Sequence, residues 1–418
     1  MANIQGDCDI VITGGGMVGL SLACALADSH LSVVVLEAGQ PVEPTEPGKS
    51  RRRGHQLDSG FEPRVSAINL ETCNLLQRTG VWEKCETERF APLKEMLVWD
   101  ARGTSRIEFG ADMIDEECLG YIAENHQILL GLTARVRELD NVDVHYNVSV
   151  QVFERIDDGY RVVLNDEQVI TCRLLVGADG GNSRIREMSG MKTFRWNYDQ
   201  QAFVTTVQTE RPHGYVARQS FTPLGPLAFL PLANDKLCSI VWSTKDIESL
   251  KAMSDESLCR ELGKASEFAL GEVKGVDRRY SFPLYQQHAM RYTHSHLALI
   301  GDAAHTIHPL AGQGANLGFA DANALAIELC QCRFSNLDPG DGALLRRFER
   351  RRKPDNLLMA SIMEAFKRIY DMDDPRLSWI RNSGMRWVQD NDALKARLVR
   401  FASGSRAPEL HKKHSITG

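Results

Sequence analysis

A buried strand, a glycine-marked turn and a helix follow one another twice in this chain, once near its start and once late. The early copy is Asp9-Ile10-Val11-Ile12-Thr13, then Gly14-Gly15-Gly16-Met17-Val18-Gly19, then an apolar stretch through Ala27. The late copy is Leu297-Ala298-Leu299-Ile300, then Gly301-Asp302 and a small-residue loop through Gly312-Gln313-Gly314, then an apolar helix from Phe319 to Cys330. A strand that ends where a helix begins aims backbone N–H groups at an anion. Two such places in one chain predict one large dinucleotide held from both sides.

The early turn fits the dinucleotide fingerprint Gly14-x-Gly16-x-x-Gly19. The first glycine permits the tight turn, the second lets backbone approach a pyrophosphate, and the third lets helix and strand pack closely. The next strand, Leu31 to Leu36, ends at Glu37, where a carboxylate can accept from both ribose hydroxyls of an adenosine. An acid there disfavours a 2′-phosphate, which leaves NAD or FAD. FAD is preferred. Asp302 can accept from a ribityl chain, which NAD lacks, and the helix starting near Gly314 can aim its N–H groups at one end of an isoalloxazine ring. A helix N-terminus stabilises an adjacent anion, here a reduced flavin, by ~1–2 kcal/mol.

The rest of the chain divides around these turns. Residues 1–92, 111–190 and 281–345 read as a discontinuous Rossmann-like α/β FAD-binding domain. Residues 93–110 and 191–280 read as an inserted antiparallel-sheet substrate domain, with strands in Phe203–Val207, Tyr215–Phe221, Leu227–Leu230 and Leu237–Trp242 separated by turn residues. Residues 346–418 read as a helical C-terminal region. Residues 40–61, rich in proline and glycine around the basic run Lys49 to Arg53, read as a long surface loop.

The net charge of −6 argues against nucleic-acid binding. No window approaches the ~18 apolar residues of a membrane span. Asp7 and Asp9 ahead of the first apolar run do not suit a signal peptide. Ten scattered cysteines without a Cys-x-x-Cys pair suit reduced thiols in a bacterial-type cytoplasm or an organelle matrix rather than secretion; a cytoplasmic location is the expectation. His305-x-x-His308 is poorly spaced for a helix-borne metal pair, is followed by Pro309 and has no third ligand cluster, so no metal is expected.

Taken in chain order, Gly14 to Gly19 with Glu37, Arg64-Val65-Ser66-Ala67-Ile68, Gly177-Ala178-Asp179-Gly180 and Gly301-Asp302-Ala303-Ala304-His305 resemble the single-component flavin hydroxylases of the para-hydroxybenzoate hydroxylase type. The string from His305 to Gly318 is narrower and resembles the polyprenylphenol hydroxylases of ubiquinone biosynthesis. So do Arg218-Gln219, Ala228 to Leu232 and Leu237 to Ser243, the last of which most resembles the enzymes that hydroxylate C5 of 2-octaprenylphenol. The resemblance spans residues 7 to 355.

It implies that Gly14, Gly16, Gly19 and Glu37 hold the ADP half of FAD. Arg64 would lie near the pyrophosphate or flavin, Asp179 and Gly180 would serve both FAD and NADH or NADPH, and Asp302 would bind ribityl and pyrophosphate. Pro309, Gly312, Gln313, Gly314 and Asn316 would lie along the isoalloxazine. No second fingerprint is present, in keeping with a reduced nicotinamide that binds transiently. The implied chemistry is reduction of FAD by NADH or NADPH, addition of O2 at flavin C4a, and transfer of one oxygen to the ring of a polyprenylphenol lipid. No acid/base dyad is expected. Candidate walls of the apolar pocket are Phe221, Leu227, Phe229, Leu230, Pro231 and Trp242, with Phe282, Pro283 and Leu284. A ubiquinone-biosynthesis protein complex, a homo-oligomer and peripheral contact with the inner membrane are the partner expectations. For the C-terminal region, with Trp379 and Trp387, a packed helical tail and a membrane- or subunit-contacting surface both stay open.

Overall fold

The computed structural model describes residues 6–44, 57–103, 105–307, 314–332, 337–371 and 375–404. Its first sheet contains β1 (Gly6–Thr13), β2 (Val33–Glu37), β8 (Val142–Tyr146), β11 (Val169–Gly177), β18 (Thr293–His294) and β19 (Leu297–Leu299), in the order β18-β19-β11-β1-β2-β8. The hairpin β9 (Val150–Ile156) and β10 (Gly159–Leu164) extends from β11. The β19, β11, β1, β2 and β8 strands run parallel. A parallel strand with helices on both faces must be apolar all along, and Ile10, Val11 and Ile12 are fully buried. Helices α1 (Met17–Ala25), α3 (Asn125–Val136) and α7 (Gly314–Cys330) supply part of the same core through Leu20, Leu22, Leu132 and Phe319.

The second sheet has nine strands. These are β5 (Glu95–Asp100), β6 (Arg106–Gly110), β12 (Thr193–Thr209), β13 (Val216–Thr222), β14 (Gly225–Pro231), β15 (Leu237–Thr244), β16 (Val273–Val276), β17 (Tyr280–Ala289) and β20 (His305–Thr306). The order is β20-β17-β12-β15-β14-β13-β5-β6, with β16 on β12. The sheet therefore runs beyond residue 280, where the sequence division ended it. β17 pairs along the seventeen-residue β12; its Tyr280, Phe282 and Leu284 alternate toward one face, and its buried end, Gln286-Gln287-His288, is polar. A small third sheet, β3 (Val65–Asn69), β7 (Gly120–Glu124) and β4 (Ala91–Pro92), lies between the two. Its Ala67, Ala91 and Ile122 share a cluster with Ala217, Leu230, Leu232 and Leu237 of the large sheet region.

The two faces of the large sheet have different neighbours. Successive side chains of a strand point to opposite faces. Phe203, Val207, Leu227, Phe229, Ile240 and Trp242 form one cluster with Ile247 and Leu250 of α5 (Ile247–Ala252) and Leu258 and Leu262 of α6 (Asp255–Ala265). The alternate positions Ala202, Val204, Ala228, Leu230, Val241, Phe282 and Leu284 look the other way, toward the third sheet and the first domain.

The C-terminal region is helical, with α8 (Gly342–Asp371), α9 (Pro375–Gln389) and α10 (Asp392–Ser403). Met359 and Ala360 of α8 are buried with Ile307 and with Leu317 of α7. Among the described residues no helix is long and apolar enough to cross a membrane. Trp387 is 63% exposed, whereas the Trp379 side chain lies outside the described residues.

Candidate functional site

The β1, β11 and β19 strands end side by side. Thr13 pairs with Gly177, and Gly177 with Leu299. The chain then leaves all three strands in turns braced to one another: the Ala178 N–H donates to the Thr13 carbonyl at 2.8 Å and the Ile300 N–H to the Gly177 carbonyl at 3.0 Å. Val18, inside the early fingerprint, fills the space beside Gly301 and Gly318. The early and late turns, remote in sequence, are therefore neighbours on one strand-end edge, which is where α/β sheets bind ligands.

At the early turn, Gly14 has φ +105° and a Cβ there would overlap the Ala178 carbonyl. A Cβ on Gly19 would overlap the Gly14 carbonyl, so both positions are closed to larger residues. Gly16 differs: nothing lies within 4 Å of the place its Cβ would take. It is the N-cap of α1 and offers no capping side chain, so the first N–H groups of that helix keep no side-chain partner there. An open approach over uncapped helix donors fits a pyrophosphate. Glu37 accepts from the Gly15 N–H at 2.6 Å and the Gly39 N–H at 2.7 Å. Each oxygen has a further lone pair for a ribose hydroxyl.

Asp302 is solvent-accessible beside the buried Gly301 and Ala303. Enclosure by the surrounding protein pushes its carboxyl up, while His305 and Arg64 pull it down. Arg64 leads into β3 and sits 5.2 Å from the Phe282 ring, so one guanidinium lies between the late turn and the large sheet. Asp179 accepts from the Arg184 and Ile185 N–H groups at the start of α4 (Arg184–Met188), at 2.8 and 3.2 Å, beside the N-cap Ser183. Its other oxygen is buried with no hydrogen-bond partner among the described residues. Gly180 follows with φ +80°. Orphan acceptor, open glycine and uncapped helix together fit FAD.

Gly314 begins α7, while Pro309, Gly312 and Gln313 lie outside the described residues. Asn316 is placed differently from the flavin-ring contact read from sequence. Its side chain is buried, accepts from the Asn69 N–H at 3.0 Å and the Thr72 hydroxyl at 2.9 Å, and donates to the Ala67 carbonyl at 2.8 Å. Those bonds commit both ends of the amide to tying the start of α7 to β3 and α2 (Leu70–Arg78).

The candidate pocket walls divide by strand alternation. Phe221, Leu230, Phe282 and Leu284 are on the face turned to the first domain, and Phe221 stacks on Tyr370 of α8 with centroids 3.6 Å apart. Leu227, Phe229 and Trp242 are on the opposite face, beneath α5 and α6. Pro231 pairs with Cys238 of that same cluster, and Pro283 alternates with them to an exposed position. These five are therefore corrected from pocket to core or back surface. Reading them as apolar residues without assigning parity merged the two faces.

A buried polar group escaped the sequence reading. Asp321 of α7 is fully buried and takes His305, Arg352 and Asn356 as partners, so His305 is a paired core histidine. Burial would raise the Asp321 carboxyl, but His305 and Arg352 hold it down at about 2. The available signal was an acid, Asp321, set among the apolar residues Phe319, Ala320, Ala322 and Ala324 of the helix. Arg186 follows the Asp179-Gly180 turn in sequence, but its bracing of Gly181 and Ala303 depends on the remote late turn.

A family model described as FAD binding domain matches residues 7–356. The chain is 34% identical over 444 residues to the ubiquinone biosynthesis monooxygenase COQ6, mitochondrial, of Xenopus tropicalis, covering 94% of this chain and 93% of that protein. It is 35% identical over 398 residues to 3-demethoxyubiquinol 3-hydroxylase of Escherichia coli (strain K12), covering 95% and 98%. Among solved structures it is similar to the probable FAD-dependent monooxygenase PqsL of Pseudomonas aeruginosa, with TM-score 0.74, 22% identity and coverage of 91% and 100%. The p-nitrophenol 4-monooxygenase PnpA of Pseudomonas putida DLL-E4 gives TM-score 0.75, 19% identity and coverage of 96% and 100%. At these identities the two structures bear on the fold.

Proposed function

We infer the reaction from one premise: this chain belongs to the FAD-dependent hydroxylases of ubiquinone biosynthesis. It is an FAD-dependent aromatic hydroxylase, with NADH or NADPH and O2 as cosubstrates. The proposed substrate is a polyprenylated phenol, and the proposed step is hydroxylation at C5 of 2-octaprenylphenol. The observation that carries the reading is the adjacency of the Gly14 and Gly301 turns on one strand-end edge. A second reading, another ring position in the same pathway, is favoured by the 35% identity to a 3-demethoxyubiquinol 3-hydroxylase.

Bound FAD supplies the electron transfer and oxygen activation. The chain's residues bind and orient. Gly16 and the start of α1 receive the pyrophosphate, Glu37 the ribose, and Asp302 the ribityl hydroxyls. Arg64 adds positive charge beside Asp302. Phe221, Leu230, Phe282 and Leu284 offer the phenol an apolar wall that excludes water from the reacting atoms. The protein acts in the cytoplasm against the inner membrane, within a biosynthetic complex or as a homo-oligomer. Lipid extracts of a deletion strain test the step by mass. Accumulated 2-polyprenylphenol supports the first reading, an intermediate hydroxylated elsewhere supports the second, and unchanged ubiquinone overturns both.

A further inference from the structure

The buried Asp321 takes donors from three separate segments. The Gly301 N–H of the late turn donates at 3.1 Å, and His305 Nε2 of β20 lies at 2.5 Å. Arg352 Nε and Asn356 Nδ2 of α8 donate at 2.8 and 3.1 Å. The bonds continue into a chain that strand pairing, rather than a further side-chain bond, closes into a circuit. Asn356 also donates to the Tyr292 hydroxyl at 3.3 Å, which lies 2.9 Å from His288 Nε2, and His288 on β17 is the register partner of His305. Asp321, His305, Arg352, Asn356, Tyr292 and His288 are all buried, and the reaction outlined above uses none of them.

Stability alone is a weak reason for such a group, because well-packed apolar residues often replace buried ion pairs without loss. Apolar residues cannot, however, satisfy the N–H of Gly301. That residue is buried with φ +60°, and its N–H would otherwise be an unpaired donor immediately before Asp302. The same carboxylate holds His305, whose strand is the edge of the large sheet against β17. One side chain thus touches the turn proposed to hold the flavin and the sheet proposed to hold the phenol.

We propose that Asp321 is a positioning residue that sets the Gly301–Asp302 turn at a fixed register to the substrate sheet, with α8 as its anchor. The proposal rests on the reading that Asp302 contacts FAD, and the experiment separates the two. In the full-length holoenzyme, FAD affinity is measured by flavin fluorescence for Asp302→Ala, Asp321→Asn and Tyr292→Phe, alongside Tm and the KM for the phenol. Tyr292→Phe removes only the hydroxyl link at the far side of the circuit. The expected result is FAD affinity about tenfold weaker in Asp321→Asn, with a changed visible flavin band. Tyr292→Phe should lower Tm alone.

If Asp302→Ala retains FAD at the wild-type affinity, the site reading fails. If Asp302→Ala loses FAD while Asp321→Asn binds it normally with an unchanged band, the positioning role is overturned. Should Asp321→Asn not fold, His305→Gln decides. A raised phenol KM, with more NADH oxidised per product formed, supports the proposal; wild-type values for both overturn it.

Discussion

The guanidinium of Arg186 donates to the Ala303 carbonyl at 2.8 Å, one residue beyond Asp302, and with its second arm to the Gly181 carbonyl at 2.8 Å. One side chain therefore braces the turns that leave β11 and β19. Burial pushes its pKa down, and Asp179 pulls the other way. Lysine keeps the charge but has no planar fork with which to span two carbonyls. Arg186→Lys is expected to lose ~1–3 kcal/mol of stability and to bind FAD more weakly, read by denaturant midpoint and flavin titration.

Gly14 and Gly16 should respond oppositely to alanine. A methyl at Gly14 meets the Ala178 carbonyl, and its φ of +105° resists any side chain, so Gly14→Ala should destabilise the apoprotein by at least ~1–3 kcal/mol. A methyl at Gly16 meets no protein atom. Gly16→Ala should leave the apoprotein Tm unchanged while weakening FAD, because the methyl would stand where the pyrophosphate is proposed to approach. Thermal melts with and without FAD check both.

The two faces of the large sheet give a third contrast. Trp242→Ala removes a fully buried ring beneath α5 and α6 and should cost ~3–5 kcal/mol of stability. Phe282→Ala removes a half-buried ring against Arg64 and should raise the phenol KM with a smaller loss of stability. Equal effects of the two on KM would show that the faces are not functionally separate.

Acid should weaken the fold through His288. Burial pushes it down from 6.5 to about 4, the neighbouring His305 adds to this and Lys353 contributes, while Asp321 opposes. Between those values the unfolded chain binds the proton and the folded chain does not. The stability is therefore fully present above pH 6.5 and is lost as pH falls toward 4, by roughly 3 kcal/mol in all. Urea midpoints at several pH values should fall across that window, and His288→Gln should flatten the slope there.

The signals that were legible in the sequence are local ones. Gly14-x-Gly16-x-x-Gly19 with Glu37, and Gly301-Asp302 before a helix, each describe a strand, its turn and the next element, and chain order places them on one scaffold. Asn316 could not be read this way, because its partners Asn69, Thr72 and Ala67 come from a distant strand and helix. Phe229 and Leu230 are adjacent and both apolar, yet they belong to different clusters, and only the pairing register tells them apart. β17 belongs to the large sheet through its pairing with the remote strand β12, and its end, Gln286, Gln287 and His288, is buried although polar, so polarity there gives no sign of an interior strand.

The division of the large sheet into two sides has an evolutionary reading. On the proposed assignment, exchanges at 227, 229, 240 and 242 would answer to selection on folding, whereas exchanges at 228, 230, 241 and 282 would answer to what the enzyme recognises. A lineage would then drift from one aromatic carbon to another by changing alternate letters of the same strands, with the opposite letters held constant.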